Sequence, residues 1–227
     1  DKPINFVNAE LTLILDKIKA KQNFILDKNE VAQGIVGAPD KAFLVNKSDL
    51  NKFSNYEKEF VKKFHTSTSP YFTSKPEKRI LYLSNANFNG EIEDYPSILN
   101  HFEPNKETLK EAKIKYKTPN KKYFFLHRER DERFFKKGDK IIGSTRTLKP
   151  AFTFTEKEFY GSRALNFIKT ERIDLKYLTG VLNSKLSHIW LKYMGKMTGE
   201  LLQIDKSQLL SIPLIEGKNE KQNEIAQ

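Results

Sequence analysis

Few side-chain sets in this 227-residue sequence have the types and spacing that chemistry requires. The four histidines, His65, His101, His127 and His188, lie far apart, so a metal site built on them would need the fold to assemble it. Glu111-Ala112-Lys113 has the acid-x-Lys spacing of Mg²⁺-dependent nucleases, with Asp94 or Asp40 as an upstream acid to hold the ion and polarise a water. Such triplets arise readily, however, in a chain with 30% charged residues. Ser69-Pro70-Tyr71 lacks the second proline and the preceding apolar strand of a loop that grips a flipped base. There is no P-loop, no G-x-G-x-x-G and no H-E-x-x-H. Zero cysteine excludes a thiolate zinc site, an iron–sulfur cluster, a cysteine nucleophile and a disulfide scaffold. No catalytic or metal-ligating residue and no bound cofactor is expected in this chain.

Charge is the stronger signal. Forty Lys and Arg against 29 Asp and Glu give +11, and +9 of it lies between Lys113 and Pro150, where 13 cations face four acids. Tyr116, Tyr123, Phe124, Phe125, Phe134 and Phe135 are interleaved with them. Cations neutralise phosphates while aromatics stack or pack beneath, so a polyanion-binding surface is expected there. Four of the seven arginines, Arg128, Arg130, Arg133 and Arg146, fall in this block, and their planar forks suit phosphate or guanine O6/N7. A solvated lysine face is the ordinary alternative, and Arg128, Arg130 and Arg133 alternate with Glu129, Asp131 and Glu132, which could pair with them.

The elements that must position these groups follow from periodicity. Val7, Leu11, Ile14, Leu15 and Ile18 share a helix face over residues 6–22. Gln33–Val45 reads as strand, turn and strand, Ser48 and Glu57–Phe64 as short helices, and 65–78 as a polar loop. Arg79–Ser84, Lys122–Leu126, Lys140–Thr145, Ala151–Thr155 and Ala164–Ile168 are strand candidates, and Tyr95–Ile114 is helical with breaks at Pro96 and Pro104. Residues 174–194 read as one helix carrying Leu175, Leu178, Val181, Leu182, Leu186 and Ile189. This mixture predicts an α+β fold, compact, with an antiparallel-rich mixed sheet and flanking helices. The densest apolar stretch near the start, Leu11–Leu15, is far short of a membrane span, and Asp1, Glu10 and Asp16 around it do not suit a signal peptide, so a cytoplasmic, membrane-free protein is expected. The lack of an initiator Met and the stop inside the polar stretch Lys218–Gln227 lead to the expectation of a piece of a longer protein.

Several phrases together resemble one family. Gly34-Ile35-Val36-Gly37 followed by Lys41-Ala42-Phe43-Leu44-Val45, then Asp94-Tyr95-Pro96-Ser97-Ile98-Leu99, come in its order. Lys140-Ile141-Ile142 through Arg146 with Pro150-Ala151-Phe152, Tyr177–Leu186, and Leu209–Leu214 ending in Ile212-Pro213 continue it, and Gln222–Ile225 resembles the helix after it. They are similar to the TaqI-like target-recognition domains, the C-terminal specificity modules of N6-adenine DNA methyltransferases and of fused type II restriction–modification enzymes. The sequence departs from the family at Phe64–Tyr71, which lacks the Gly-Arg pair, and at Tyr123–Leu126, which stands where a Trp is common.

The resemblance implies a helical linker over 1–29, a target-recognition domain over 30–216 and the truncated start of a C-terminal helix over 217–227. It implies sequence-specific binding of double-stranded DNA by a chain that is not itself catalytic, with the methyltransferase domain of the same polypeptide as its other partner. S-adenosylmethionine, and Mg²⁺ if a nuclease is fused, would then belong to the parent enzyme. Side chains with forked donors or amides, Arg128, Arg130, Arg146, Asn85, Asn87 and Asn89, are candidate base readers, with Arg133 beside them. Lys41, Lys136, Lys137 and Lys149 are candidate phosphate contacts. For each Asn, plain turn chemistry is the competing role. The rivals are a stand-alone Mg²⁺ nuclease using Asp94, Glu111 and Lys113, an RNA-binding basic module, and a protein-interaction scaffold.

Overall fold

The computed structural model describes residues 9–73, 75–76, 78–217 and 219–226. In chain order the helices are α1 (Ala9–Ala20), α2 (Pro96–Phe102), α3 (Lys106–Lys115), α4 (Leu175–Leu182), α5 (Lys185–Met194), α6 (Lys206–Leu209) and α7 (Asn219–Ala226). The strands are β1 (Val31–Gln33), β2 (Leu44–Val45), β3 (Val61–His65), β4 (Lys78–Leu81), β5 (Lys140–Ser144) and β6 (Arg146–Thr147). Five more follow: β7 (Phe152–Thr155), β8 (Tyr160–Gly161), β9 (Leu165–Ile168), β10 (Lys196–Thr198) and β11 (Leu201–Gln203). They form three sheets, ordered β1-β9-β5-β7, β2-β4-β3-β8 and β10-β11-β6, and the pairings are antiparallel apart from β3 with β8. The fold is α+β with antiparallel-rich sheets, as the element pattern predicts.

Two hydrophobic cores support them. The sheet containing β3 and β4 buries a ladder of rings against α2 and α3. Phe88 lies 5.4 Å from Phe60, 4.6 Å from Tyr95 and 5.3 Å from Phe124, distances at which aromatic pairs attract beyond their buried area. The sheet containing β5 and β9 is covered by α1, α4 and α5 through Leu15, Leu178, Leu182, Trp190 and Leu191. All four residues of β9 are buried, which is why Leu165-Asn166-Phe167-Ile168 reads as a continuous run and not as an alternation. The segment ahead of β1 joins this core through Leu15, Phe24 and Leu26, with Phe24 bridging to Leu214.

The two main sheets meet at a backbone crossing. Gly34 N–H donates to Leu165 O (2.9 Å) and Ile35 N–H to Gly161 O (2.8 Å). A Cβ on Gly34 would lie 2.1 Å from Ser162 O, so only glycine allows the approach. The same stretch of chain, 160–168, thus contributes β8 to one sheet and β9 to the other.

Three sequence expectations are corrected. Lys122–Leu126 is not a strand: Lys121 N–H turns back to Thr118 O and Phe125 N–H to Lys122 O, and its rings enter the aromatic ladder without a partner strand. Glu57–Phe64 is a 3-10 turn (Glu57–Phe60) running into β3, because the Glu57 carboxylate bonds back to Ser54 and across to Ser97 N–H instead of starting a longer helix. Residues 174–194 form two helices. Asn183 leaves the helix to bond Phe152 N–H (2.9 Å) and Phe152 O (2.8 Å), and Ser184 caps a new one at Ser187 N–H. Gly180 is a contact point, since a Cβ there would lie 2.9 Å from Ile225 of α7. The expected helix start after residue 217 corresponds to α7, packed on α4.

One buried carboxylate joins the start of β1 to the segment that leaves β9. Glu30 accepts from Asp27 N–H (2.7 Å), Thr170 Oγ1 (2.5 Å) and the Arg172 guanidinium (2.8 and 2.5 Å), and Arg172 also donates to Ile25 O. Burial alone would raise the Glu30 pKa, but these donors outweigh it and hold the carboxyl at about 2. Its contribution to stability is therefore complete above the unfolded value of 4.5 and is lost as pH falls through about 2. Glu30→Gln is expected to cost about 2 kcal/mol at neutral pH and to flatten the acid limb between those two pH values. Urea unfolding of both proteins across that range checks it.

Candidate nucleic-acid interface

The sheet with β1, β9 and β5 has two ends, and the basic block is divided between them. Gln33 of β1 pairs with Asn166 of β9, and Leu165 of β9 with Ser144 of β5, so the segments leaving that end are neighbours. They carry Arg163, Arg146 and Lys149: Gln33 Nε2 donates to Arg163 O (2.9 Å) and Thr145 N–H to Ala164 O (2.9 Å). Arg128 joins them by a two-way bridge with Val36, and Arg130 Nε reaches Gly34 O (3.3 Å). Arg128 and Arg163 line a polar groove of about 460 Å³ with Gln33, Asp40 and His127. Lys41 is exposed on the 3-10 turn that contains Asp40.

The other end carries Arg133, Lys136 and Lys137. Arg133 pairs with Asp131 (3.0 Å), donates to Asn29 O and covers the Phe134 ring, and Lys136 pairs with Glu132 (2.8 Å). β5 separates the two ends by five residues, roughly 15 Å of strand. Lys113–Pro150 is therefore not one surface. Lys113 and Lys140 are buried, donating to Phe125 O and to the Gly138 and Lys157 carbonyls; burial brings both ammonium pKa values down to about 8. Lys121 pairs with Glu129 and Lys122 with Glu91. The interleaved aromatics Phe124, Phe125, Phe134 and Phe135 are core residues, while Tyr116 remains exposed beside His127.

The end holding Arg128, Arg146 and Arg163 is different electrostatically. Its acids are engaged: Asp40 accepts from Gly37 N–H (2.7 Å), and Asp205 from Gln203 Nε2 (3.0 Å) with Lys196 3.7 Å away. Arg128, Arg146, Arg163 and Lys149 make no ion pair among the described residues. His127 sits among the cations. Burial first, then Arg128, Lys113, Lys121 and Arg130, lower its pKa, which keeps the ring neutral at pH 7. Its Nδ1 is closed to solvent without a hydrogen-bond partner.

The loop that presents Arg128 and Arg130 is held from the core. Tyr82 Oη, fully buried, donates to Glu129 O (3.1 Å), and burial followed by Glu132, Glu129 and Asp131 raises its pKa, so the phenol stays a donor. Arg130 has φ +66, a left-handed conformation that costs a non-glycine residue about 1 kcal/mol.

Of the asparagines, Asn87 is occupied by its turn, accepting from Ser84 N–H and Oγ and donating to Tyr82 O. Asn85 and Asn89 are exposed on the same loop, which packs on the ring ladder and not at the arginine end. The nuclease set is not assembled: Lys113 is buried on Phe125 O, Asp94 caps a 3-10 turn, and Glu111 is exposed on α3. Among the described residues no group of His, Cys, Asp and Glu could hold a metal, and no helix is long and apolar enough to cross a membrane. Sequence reasoning missed Arg163, Gln33, Gln203, Lys196 and Lys206, isolated in the sequence and adjacent only after folding.

A family model for the TaqI-like C-terminal specificity domain matches residues 44–214. The chain belongs to this family. Among solved structures, this specificity domain is similar to the type IIL restriction–modification enzyme MmeI in complex with DNA (TM-score 0.62, 16% identity). That match covers 87% of this chain and 26% of the enzyme. The type IIG restriction endonuclease BpuSI is also similar (TM-score 0.55, 10% identity), covering 96% of this chain and 28% of that one. The specificity domain thus spans about a quarter of the length of the structures it matches, and at these identities the likeness is one of fold. No curated protein matches the chain.

The Tyr82 anchor is testable in the specificity domain without DNA. Tyr82→Phe is expected to speed hydrogen exchange at Arg128, whose N–H bonds Val36 O beside the anchored loop, about fivefold, the equivalent of one ordinary hydrogen bond, and to leave β5 and β9 protected.

Proposed function

We propose that this specificity domain reads double-stranded DNA for a larger adenine-N6 methyltransferase or restriction–modification enzyme. The observation that carries the reading is the convergence of Arg128, Arg163, Arg146 and Lys149 at one end of the β1-β9-β5 sheet, with neighbouring acids already engaged. A methylating enzyme must extrude its target base from the stack, so another part of the protein has to hold the duplex and recognise its neighbours. Unpaired cations on a rigid sheet end suit that task, since phosphates fix register and forked donors read base edges. Family membership and the likeness to two restriction–modification enzymes support the same reading.

The chemistry belongs to the remainder of the parent. S-adenosylmethionine, and Mg²⁺ if a nuclease is fused, would be held by that remainder, in keeping with the family to which the chain belongs. The methyltransferase domain of the same polypeptide is the expected second partner, in the cytoplasm.

Two outcomes follow. Duplex binding by the chain should fall with salt at a log–log slope of about −4, the value for four or five neutralised phosphates. Fluorescence anisotropy with duplex DNA and with structured RNA checks this, and a preference for RNA would overturn the reading. Arg128→Ala and Arg163→Ala should each reduce affinity several-fold, whereas Lys136→Ala with Lys137→Ala, at the opposite end of β5, should leave it within twofold.

A further inference from the structure

The three-stranded sheet β10-β11-β6 has a face that the fold does not use. Residues Lys196 through Leu201 are all exposed, and of these Lys196, Thr198 and Leu201 share one face of the hairpin. The hairpin turns at Gly199, φ +61, where an added Cβ would meet nothing within 4 Å. Leu202, buried in the core, anchors it. Directly opposed residues in antiparallel strands share a face. Leu202 opposes Met197 and Thr147, so these three define the inner face. Lys196 opposes Gln203, and Gln203 opposes Arg146, so Lys196, Gln203 and Arg146 form a row across all three strands on the outer face. Thr198 shares it, donating from Oγ1 to Gln203 Oε1 (2.8 Å).

The row is pre-oriented. Gln203 Nε2 donates to Asp205 (3.0 Å), and Lys196 lies 3.7 Å from the same carboxylate. With Oε1 receiving from Thr198, the Gln203 amide is fixed and retains one N–H and one lone pair pointing away from these partners. Arg146 has no ion pair among the described residues. Lys149 lies three residues beyond Arg146, Lys192 is on α5, which packs against β10, and Glu200 at the hairpin turn makes no ion pair among the described residues. A face of Arg146, Gln203, Lys196 and Thr198, with Leu201 opposite Thr198, complements a polyanion that also presents base edges.

We propose that the outer face of β6-β11-β10 lies in the major groove of the duplex, with Arg146 and Gln203 reading neighbouring base pairs. The proposal rests on the DNA-reading function above and assigns its reading element. Arg146 and Gln203 stand on the neighbouring strands β6 and β11, about 4.8 Å apart, and two strands at that spacing fit a groove about 12 Å wide. A fixed amide with one donor and one acceptor suits adenine N6 and N7, and a guanidinium suits guanine O6 and N7. Asp205 acts as a positioning residue, through Gln203 and Lys196.

The test is selection from a degenerate duplex library with the full chain, repeated with Arg146→Ala, Gln203→Ala and Asp205→Asn. All three sites are on the outer face or beside it, and circular dichroism confirms that each variant is folded. Wild type should recover a preferred sequence. Arg146→Ala and Gln203→Ala should each lose about 10- to 100-fold discrimination at one base pair, at two different positions. Asp205→Asn should weaken discrimination at the Gln203 position alone. Replacing the read purine by its 7-deaza form, which alters only the major-groove edge, should reproduce the loss on wild type and add nothing on the matching variant. Unchanged sequence preference in both alanine variants would overturn the proposal and leave DNA reading intact, as would an equal loss on all sequences. A wild-type chain without preference among duplexes would overturn the reading and the proposal together.

Discussion

The close backbone crossing at Gly34 is the constraint on which the rest of the structure depends. Gly161 and Ser162 carbonyls lie where any side chain at position 34 would have to be. Because they do, one strand exit is stitched to β9 by Gly34 N–H and to β8 by Ile35 N–H. The two sheets are thereby locked at a fixed angle, and the segments that emerge from the crossing carry Gln33, Val36 and Arg163. The groove between Arg128 and Arg163 is a direct product of that geometry, since Arg128 is held by the backbone of Val36 and Arg130 by the carbonyl of Gly34.

Rigid backbone and uncommitted charge are combined at this end. Several cations elsewhere are engaged: two lysines cap carbonyls inside the core, and Arg133, Lys136, Lys121, Lys122 and Arg172 have carboxylate partners. Such exposed pairs add little stability, but they remove positive potential from those surfaces. Arg128, Arg146 and Arg163 keep no carboxylate partner among the described residues and add a positive field at this end. A charged ligand would be oriented by it before any specific contact forms.

Much of this was legible in the sequence, and the failures have identifiable causes. β5, β7 and β9 are apolar, β-branched or aromatic runs bounded by turns, and they fold as read. Tyr123-Phe124-Phe125-Leu126 has the same composition without being a strand, because its rings are drawn into a cluster built from distant segments, which no local pattern records. The stripe over 174–194 continues through a real break, since Asn183 gains more from the Phe152 backbone than from the helix. The density of charge between Lys113 and Pro150 was correct as a count. It was misleading as a map, because the chain runs from Arg128 and Arg130 at one end to Arg133, Lys136 and Lys137 at the other and returns through the buried strand β5 to Arg146 and Lys149, while Lys113 and Lys140 are buried. Arg163 and Gln203 gave no signal, being single polar residues beside short strands whose pairing alone gives them neighbours.

The clamp of Glu30 by Thr170 and Arg172 joins residues 140 and 142 positions apart in the chain. β1 likewise has no partner until β9 exists. During synthesis the first strand of the central sheet must therefore wait, unpaired, for about 130 residues before it can dock. Such distant pairing slows folding, and it also orders assembly. The ring-lined sheet of β3 and β4 can collapse early, while the crossing and its groove close last. A chain interrupted before residue 160 would hold much of the aromatic core and most of the lysines, yet it would lack the crossing and the groove between Arg128 and Arg163.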